Sequence, residues 1–307
     1  MALDHFVSQV HLKQFLRTTN PKLLNAVRKT DLAQFTPRPQ DVCRVEDGST
    51  NAFLTDNRII EKFLRDIEPA YEPCLSRIIA GELDWQSRWV FAGFLAYLQT
   101  YTPTALRMFE PMIRTLLEQT ARSLETSGEL EPISIPSLPD WDGKTFSELA
   151  QEGKVKFDIN LRMPQAMATT QLLQIQNSLA SSDVTILRCK GRMRFLTSDF
   201  PSIILGHHQN IFAQRFLPLS PSIGLIFHTN TSSKDRHEFP YRFIDVGDRR
   251  VDLINNLIIQ SAENLVFATY RHPWLLSKVS QFKNYRVENV VENSGPLIRS
   301  QQRVVSS

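Results

Sequence analysis

Hydrophobic positions recur at helical spacing through the first half of the chain and in short strand-like runs through the second. Near the start, Ser8 follows Phe6 and Val7 as a helix cap, and Val10, Leu12, Phe15 and Leu16 form an apolar stripe beyond it. Residues 20–43 mix apolar residues with turn formers and read as a loop with short extended pieces. Asp56 then caps a predicted helix whose Ile59, Ile60, Phe63, Leu64 and Ile67 share one face. Pro69 and Pro73 are expected to end or kink it before it continues through Leu75 and Ile78 to a stop at Gly81. From Trp85 to Thr100 nearly every side is apolar, the pattern of a central buried helix. Pro103 opens or bends a further helix through Leu117, whose far end carries Arg114, Glu118 and Arg122 on a solvated face.

Pro132, Pro136 and Pro139 mark the stretch from Ser127 to Trp141 as a linker or a surface loop. Two helices are predicted near 145–152 and 164–180. The period then changes. VTILRCKGRMRFLTSD predicts a hairpin turning at Lys190-Gly191, and SIILG, FLPLS, IGLIFH, YRFIDVG and LVFATY predict further strands. One helix from about Val251 to Glu263 interrupts them. Helices first and a mostly antiparallel sheet with a packing helix later give an α+β class. The helical part spans about 1–181 and the sheet part about 182–290 of a single domain, with 291–307 a polar tail expected to fray.

Composition narrows the function classes only a little. The 307 residues are 42% hydrophobic and 22% charged, with 35 basic and 32 acidic side chains for a formal charge of +3. That is ordinary globular composition, without a basic nucleic-acid tail. Cys43, Cys74 and Cys189 are widely spaced and odd in number, so reduced buried thiols are expected. The longest apolar run, WVFAGFLAYL, is too short to span a bilayer, and the N-terminus lacks the pattern of a secretory signal. A soluble cytoplasmic protein without a membrane partner is the expectation.

Several short motifs occur in a characteristic order. HFVSQVHLKQF carries His5, Gln9, Leu12 and Phe15, TYTPTALR ends in Arg107, FLTSDFP holds Ser198 and Asp199, PLSP follows at 218–221, and LINNLIIQSAENLVFA closes the series. This order, over roughly residues 4 to 270, resembles the bacterial family catalogued as domain of unknown function 4238. Its members typically begin His-Tyr-Val-Pro-Gln, where this chain has Ser8 for the proline, and Tyr101 stands where arginine is common. The resemblance implies no established reaction. It implies a bacterial setting, since members occur in bacteria, and a defence context, since some look like single-gene antiphage defence factors.

Candidate chemistry centres on His5 and Asp199. His5, just ahead of a helix start, is a candidate acid/base or anion partner; its structural alternative is a hydrogen bond to a backbone carbonyl. Asp199 sits at a strand end, fit to ligate Mg²⁺ or to orient His5, its structural alternative being to accept backbone N–H groups in a turn. Glu61 and Glu68, two helical turns apart, would complete an oxygen-rich metal site with it or remain solvated. Arg192 and Arg194 point the same way in the expected hairpin and present a basic face to phosphates, or they discourage edge pairing. Gln9, Ser198 and Arg107 are candidate substrate contacts within the motifs. His207 and His208 read as a loop pair.

The N-terminal motif is thus expected to pack on FLTSDFP and place His5 beside Asp199. The leading reading is a hydrolytic defence effector acting on nucleic acid or a nucleotide, with His5, Asp199 and Glu68 catalytic. The rival is a non-enzymatic sensor or protein-interaction module, with a phage component as a candidate partner, in which His5 and Asp199 are structural.

Overall fold

A computed structural model describes residues 3–205, 214–228, 240–294 and 297–306. The chain begins with β1 (Leu3–His5), α1 (Gln9–Lys13), β2 (Asn25–Arg28), β3 (Gln34–Phe35) and β4 (Arg44–Glu46). Ser8 caps α1 as its sequence predicts, its Oγ accepting from the Val10 amide. Three long helices follow: α2 (Ile59–Ala80), α3 (Trp85–Tyr101) and α4 (Pro103–Ser127). Helix α2 does not end at Pro69 or Pro73 and continues through both. Both prolines lie on its exposed face. The carbonyls one turn earlier, which the missing N–H groups leave unbonded, can therefore turn to water. The α2 stop at Gly81 is as expected, with a left-handed φ of 99° that a side chain would resist.

Helix α3 is buried along nearly its whole length. Short helices α5 (Phe146–Gln151), α6 (Arg162–Thr170) and α7 (Leu172–Ala180) come next, and α7 packs on α3. That approach requires Gly93. A Cβ there would stand 2.5 Å from Gln176 Nε2 and 2.6 Å from Ile67 Cδ1.

The second half alternates strands and helices: β5 (Asp183–Cys189), β6 (Thr197–Ser198), β7 (Ile203–Leu205), β8 (Gln214–Pro218), β9 (Ile223–His228), β10 (Tyr241–Val246), α8 (Asp248–Ser261), β11 (Leu265–Ala268) and α9 (Pro273–Gln281). A five-stranded sheet has the order β10-β5-β9-β8-β7, antiparallel except for β10 beside β5. Period-2 alternation sends its two faces into different cores. Val184, Ile186, Leu225 and Phe227 join α2, α3 and α7, while Leu187, Ile226 and Phe216 join α8. A second sheet, β3-β2-β11-β6, draws its strands from both ends of the chain. The N-terminal fifty residues are therefore built into the same body as the C-terminal strands.

Two sequence expectations are corrected here. Residues 187–198 form no hairpin, because β5 pairs with β9 and β10 while β6 pairs with β11. Gly191 packs so closely on the Asp248 carboxylate that a Cβ would overlap it, and Lys190 N donates to Val246 O. These contacts carry the chain across to α8. The tail expected to fray from 291 is instead part of a paired ribbon, β12 (Tyr285–Ser294) and β13 (Leu297–Ser306). Val287 anchors it beside Ala105 and Met108 of α4. Val287, Val290, Val291 and Val304 stand among polar residues without sustained alternation, which leaves little trace in periodicity. Among the described residues no helix is long and apolar enough to cross a membrane. All three cysteines are free thiols.

One polar contact seats α1. His11 is fully buried, with Nδ1 at 2.8 Å from Tyr71 Oη on α2 and Nε2 at 2.7 Å from Thr197 Oγ1 on β6. Tyr71 Oη in turn reaches the Leu219 carbonyl. The tyrosine donates there and accepts from Nδ1–H, leaving Nε2 to accept from Thr197. Phe15 and Phe94 flank the ring at 5.2 Å. Burial holds the His11 pKa down at about 3, so the folded ring is neutral.

Protonation of the unfolded chain below its ordinary value of 6.5 then favours unfolding. This stabilisation is full above pH 6.5 and is lost as pH falls toward 3. Asp199, described below, titrates in the opposite sense over part of this range. The test is therefore a difference in urea unfolding between wild type and His11→Gln at pH 7 and pH 5. Wild type is expected to lose about 2 kcal/mol more than the variant.

Candidate functional site

The sequence-predicted site residues fall into three separate places. The first is the turn between α8 and β11. Asp199 Oδ1 accepts from the Glu263 amide at 2.9 Å, and Oδ2 accepts from the Asn264 and Leu265 amides at 2.8 Å each. The carboxylate is almost wholly buried, and burial pushes its pKa up to about 6 against the pull of those three N–H groups. Ser198 is buried beside it, and its Oγ accepts from Phe200 N. Arg107 also comes here. Its guanidinium grips Glu263 through Nε and Nη2 at 3.1 and 2.7 Å, and Nη2 donates to Val287 O as well. Thr104 Oγ1 adds a bond to the same carboxylate.

A residue without any motif completes this turn. Lys29, after β2, is buried, and its Nζ donates to the carbonyls of Ile259, Ala262 and Tyr285 at 2.9, 2.7 and 2.6 Å. It satisfies the acceptors that end α8, as Asp199 satisfies the donors that begin β11. Burial lowers its pKa to about 8, while the charges of Asp199 and Glu263 resist that drop.

The second place is the crossing from β5 to β6. Arg192 is exposed, while Arg194 Nη1 donates to the carbonyls of Gly191 and Met193. Asn255 of α8 clamps this segment, donating to Arg194 O and accepting from Leu196 N. Without a shared strand, the two arginines do not form the expected phosphate-facing row.

The third place holds His5. A cavity of about 240 Å³ opens where β1, the end of α3 and the starts of α4 and α6 meet. His5, Tyr97, Tyr101, Leu106, Arg162 and Gln165 are in its walls. Tyr97 Oη donates to the His5 carbonyl at 2.8 Å and so fixes β1 to α3. The His5 pKa is lowered, first by burial and then by the charge of Arg44; the carbonyls of Gln40 and Pro39 and the charge of Glu68 work the other way. Carbonyls only accept, so the ring nitrogen they favour carries the proton. Nε2 is buried with no protein partner and is then the lone-pair nitrogen. Glu68 Oε1 accepts from Ser8 Oγ at 2.5 Å, which ties α2 to the α1 cap. Gln9 opens α1 one residue further on.

Tyr101 is buried, stacked on Tyr97 at 5.7 Å, and its hydroxyl likewise has no protein partner. Burial pushes its pKa up to about 12, so it stays a phenol and a donor. An unpaired buried hydroxyl costs about 1–3 kcal/mol unless something else satisfies it. Beside it, Arg162 donates to the main-chain oxygens of Glu46 and Gly48 and to Gln165 Oε1. Asn51 holds Gln165 and the Arg162 carbonyl in place.

His5 and Asp199 thus share no partner among the described residues. The motif does pack on FLTSDFP, but through His11 and Thr197, six residues beyond His5. The oxygen-rich metal set is not assembled: Glu61 pairs with Arg58, Glu68 with Ser8 and Asp199 with backbone. Among the described residues no three of His, Cys, Asp and Glu stand where they would hold one metal ion. The pair His207-His208 lies outside the described residues. Sequence reasoning missed Tyr101, Arg162 and Gln165. The one signal was Tyr97 and Tyr101, polar handles a single turn apart on an otherwise apolar helix.

A family model described as a protein of unknown function, DUF4238, matches residues 4–272, which is most of the chain and stops short of α9. No curated protein and no solved structure matches.

The geometry at the α8–β11 turn makes Asp199→Ala a stability variant. It strands three amides in a buried turn, and a loss of at least ~3 kcal/mol is expected. A thermal melt checks this: Tm should fall by several degrees, and by less for Asp199→Asn, which keeps one acceptor oxygen.

Proposed function

We propose that this chain, which belongs to the DUF4238 family, is an antiphage defence effector acting in the cytoplasm, with hydrolytic chemistry on a nucleotide or nucleic acid at the His5 cavity. The observation that carries this reading is His5 in the cavity wall, a residue whose buried Nε2 has no protein partner and whose pKa burial lowers. A neutral imidazole at pH 7 is ready to take a proton from an attacking water. Glu68 supports it: its negative charge favours the imidazolium formed when the proton arrives. Asp199 is almost wholly buried and accepts from three amides, which supports a part in holding the scaffold rather than in this chemistry. The family resemblance supplies the defence setting.

A second reading, a sensor that binds without turnover, draws support from the same Asp199, because the expected His5–Asp199 dyad is not formed. Phage plating separates the two. Bacteria expressing wild type, His5→Gln and Asp199→Ala are compared, with melts of each protein and nucleotide hydrolysis measured with and without chelator. The hydrolase reading expects His5→Gln to melt like wild type yet lose hydrolysis by about 100-fold or more, and protection with it. Asp199→Ala should lose protection only in step with its Tm. Full hydrolysis in His5→Gln would end the reading. Protection without hydrolysis by wild type would establish the sensor.

A further inference from the structure

Strand β10 ends the five-stranded sheet, and among the described residues β5 is its only hydrogen-bonded neighbour. Val184 N donates to Pro240 O and Lys190 N to Val246 O, so the even-numbered residues of β10 turn their main-chain groups toward β5. Those of Tyr241, Phe243 and Asp245 then point away from the sheet. Among the described residues no hydrogen bond reaches these outward N–H and C=O groups.

Sheet edges are usually guarded by charge, proline or a bulge. Strand β10 has no proline or lysine, and its charges are drawn back over its own sheet. Arg242 Nε donates to Thr185 Oγ1 at 3.2 Å, and Asp245 pairs with Arg188 Nε at 2.7 Å and with Lys190. What remains outward is strand-forming and largely apolar: Tyr241 is 44% exposed and Ile244 38%. Beside them, Arg88 lies over the Tyr241 ring at 5.8 Å, and Trp85, one turn earlier on α3, is 44% exposed.

We propose that this edge is a two-fold interface, at which β10 pairs antiparallel with β10 of a second copy of the chain, Phe243 opposite Phe243. The strand is complementary to itself in that register. Tyr241 falls opposite the partner's Asp245 and Arg242 opposite the partner's Ile244, so every outward group is paired and no like charges meet. Centring the pair on Arg242 would set two arginines face to face. Centring it on Ile244 would set Tyr241 against Gly247, whose carbonyl already accepts from the first turn of α8. This self-complementarity is what selects a second copy as the partner. The interface lies apart from the His5 cavity and requires no particular chemistry there.

The test is sedimentation equilibrium of the full chain from about 1 to 100 μM, where a small interface of this kind dissociates. Wild type is expected to dimerise. Ile244→Lys changes a surface side chain and should melt like wild type, yet weaken the dimer about tenfold, because it faces the partner's Arg242 twice per dimer. Adding Arg242→Glu should restore the dimer to within about threefold, since opposite charges then face each other. Hydrogen exchange on wild type needs no variant: the amides of Tyr241, Phe243 and Asp245 should exchange about fivefold more slowly at the high concentration than at the low. A wild type that stays monomeric at about 100 μM would overturn the proposal and leave the edge to a strand of another protein. A dimer indifferent to Ile244→Lys, a double variant no tighter than the single one, or unprotected amides would overturn it as well.

Discussion

The short turn between α8 and β11 depends on two buried charges of opposite sign. A helix that ends inside a protein leaves carbonyls without donors, and a strand that begins there leaves amides without acceptors. Here the Lys29 ammonium takes the carbonyls and the Asp199 carboxylate takes the amides. Neither residue belongs to the turn. Lys29 follows β2 and Asp199 follows β6, the two strands that flank β11 in the four-stranded sheet. The charges therefore lock three distant pieces of chain at once. Each also lessens the burial cost of the other.

The neighbouring motifs serve the same junction. Thr104 and Arg107 grip Glu263, which fastens the start of α4 to the turn. Arg107 reaches on to Val287, and Asn289 donates to Met108 O, so the C-terminal ribbon is fastened there too. His11 seats α1 from the other side of β6. Polar residues that look catalytic in sequence can thus be consumed by the backbone. A carboxylate holding three amides has little left to offer a substrate. His5 Nε2 and Tyr101 Oη, by contrast, are buried polar atoms that the fold leaves without protein partners.

Much of the architecture was legible. The α3 stripe, the Ser8 cap, the Gly81 stop and the strands of the five-stranded sheet follow local rules of period and punctuation. The α+β class follows from their order. The α2 prolines do not end the helix, and both lie on its exposed face. The Lys190-Gly191 turn misled because a tight glycine serves a hairpin and a close helix contact equally well. The contact between HLKQF and FLTSDFP was expected, yet its agent was misread: His11 falls on the buried face of α1, and His5 lies ahead of the helix.

By itself, the sequence determined the long helices, the strands of the five-stranded sheet and which of their faces are apolar. Those properties follow from each residue's chemistry and its near neighbours. Only the tertiary structure decided that Asp199 meets amides 64 to 66 residues away, that Lys29 caps a helix across the chain, and that Tyr101 keeps an unpaired hydroxyl beside Arg162. Whether a polar group is spent or available depends on partners far off in the chain, and no local pattern encodes that pairing.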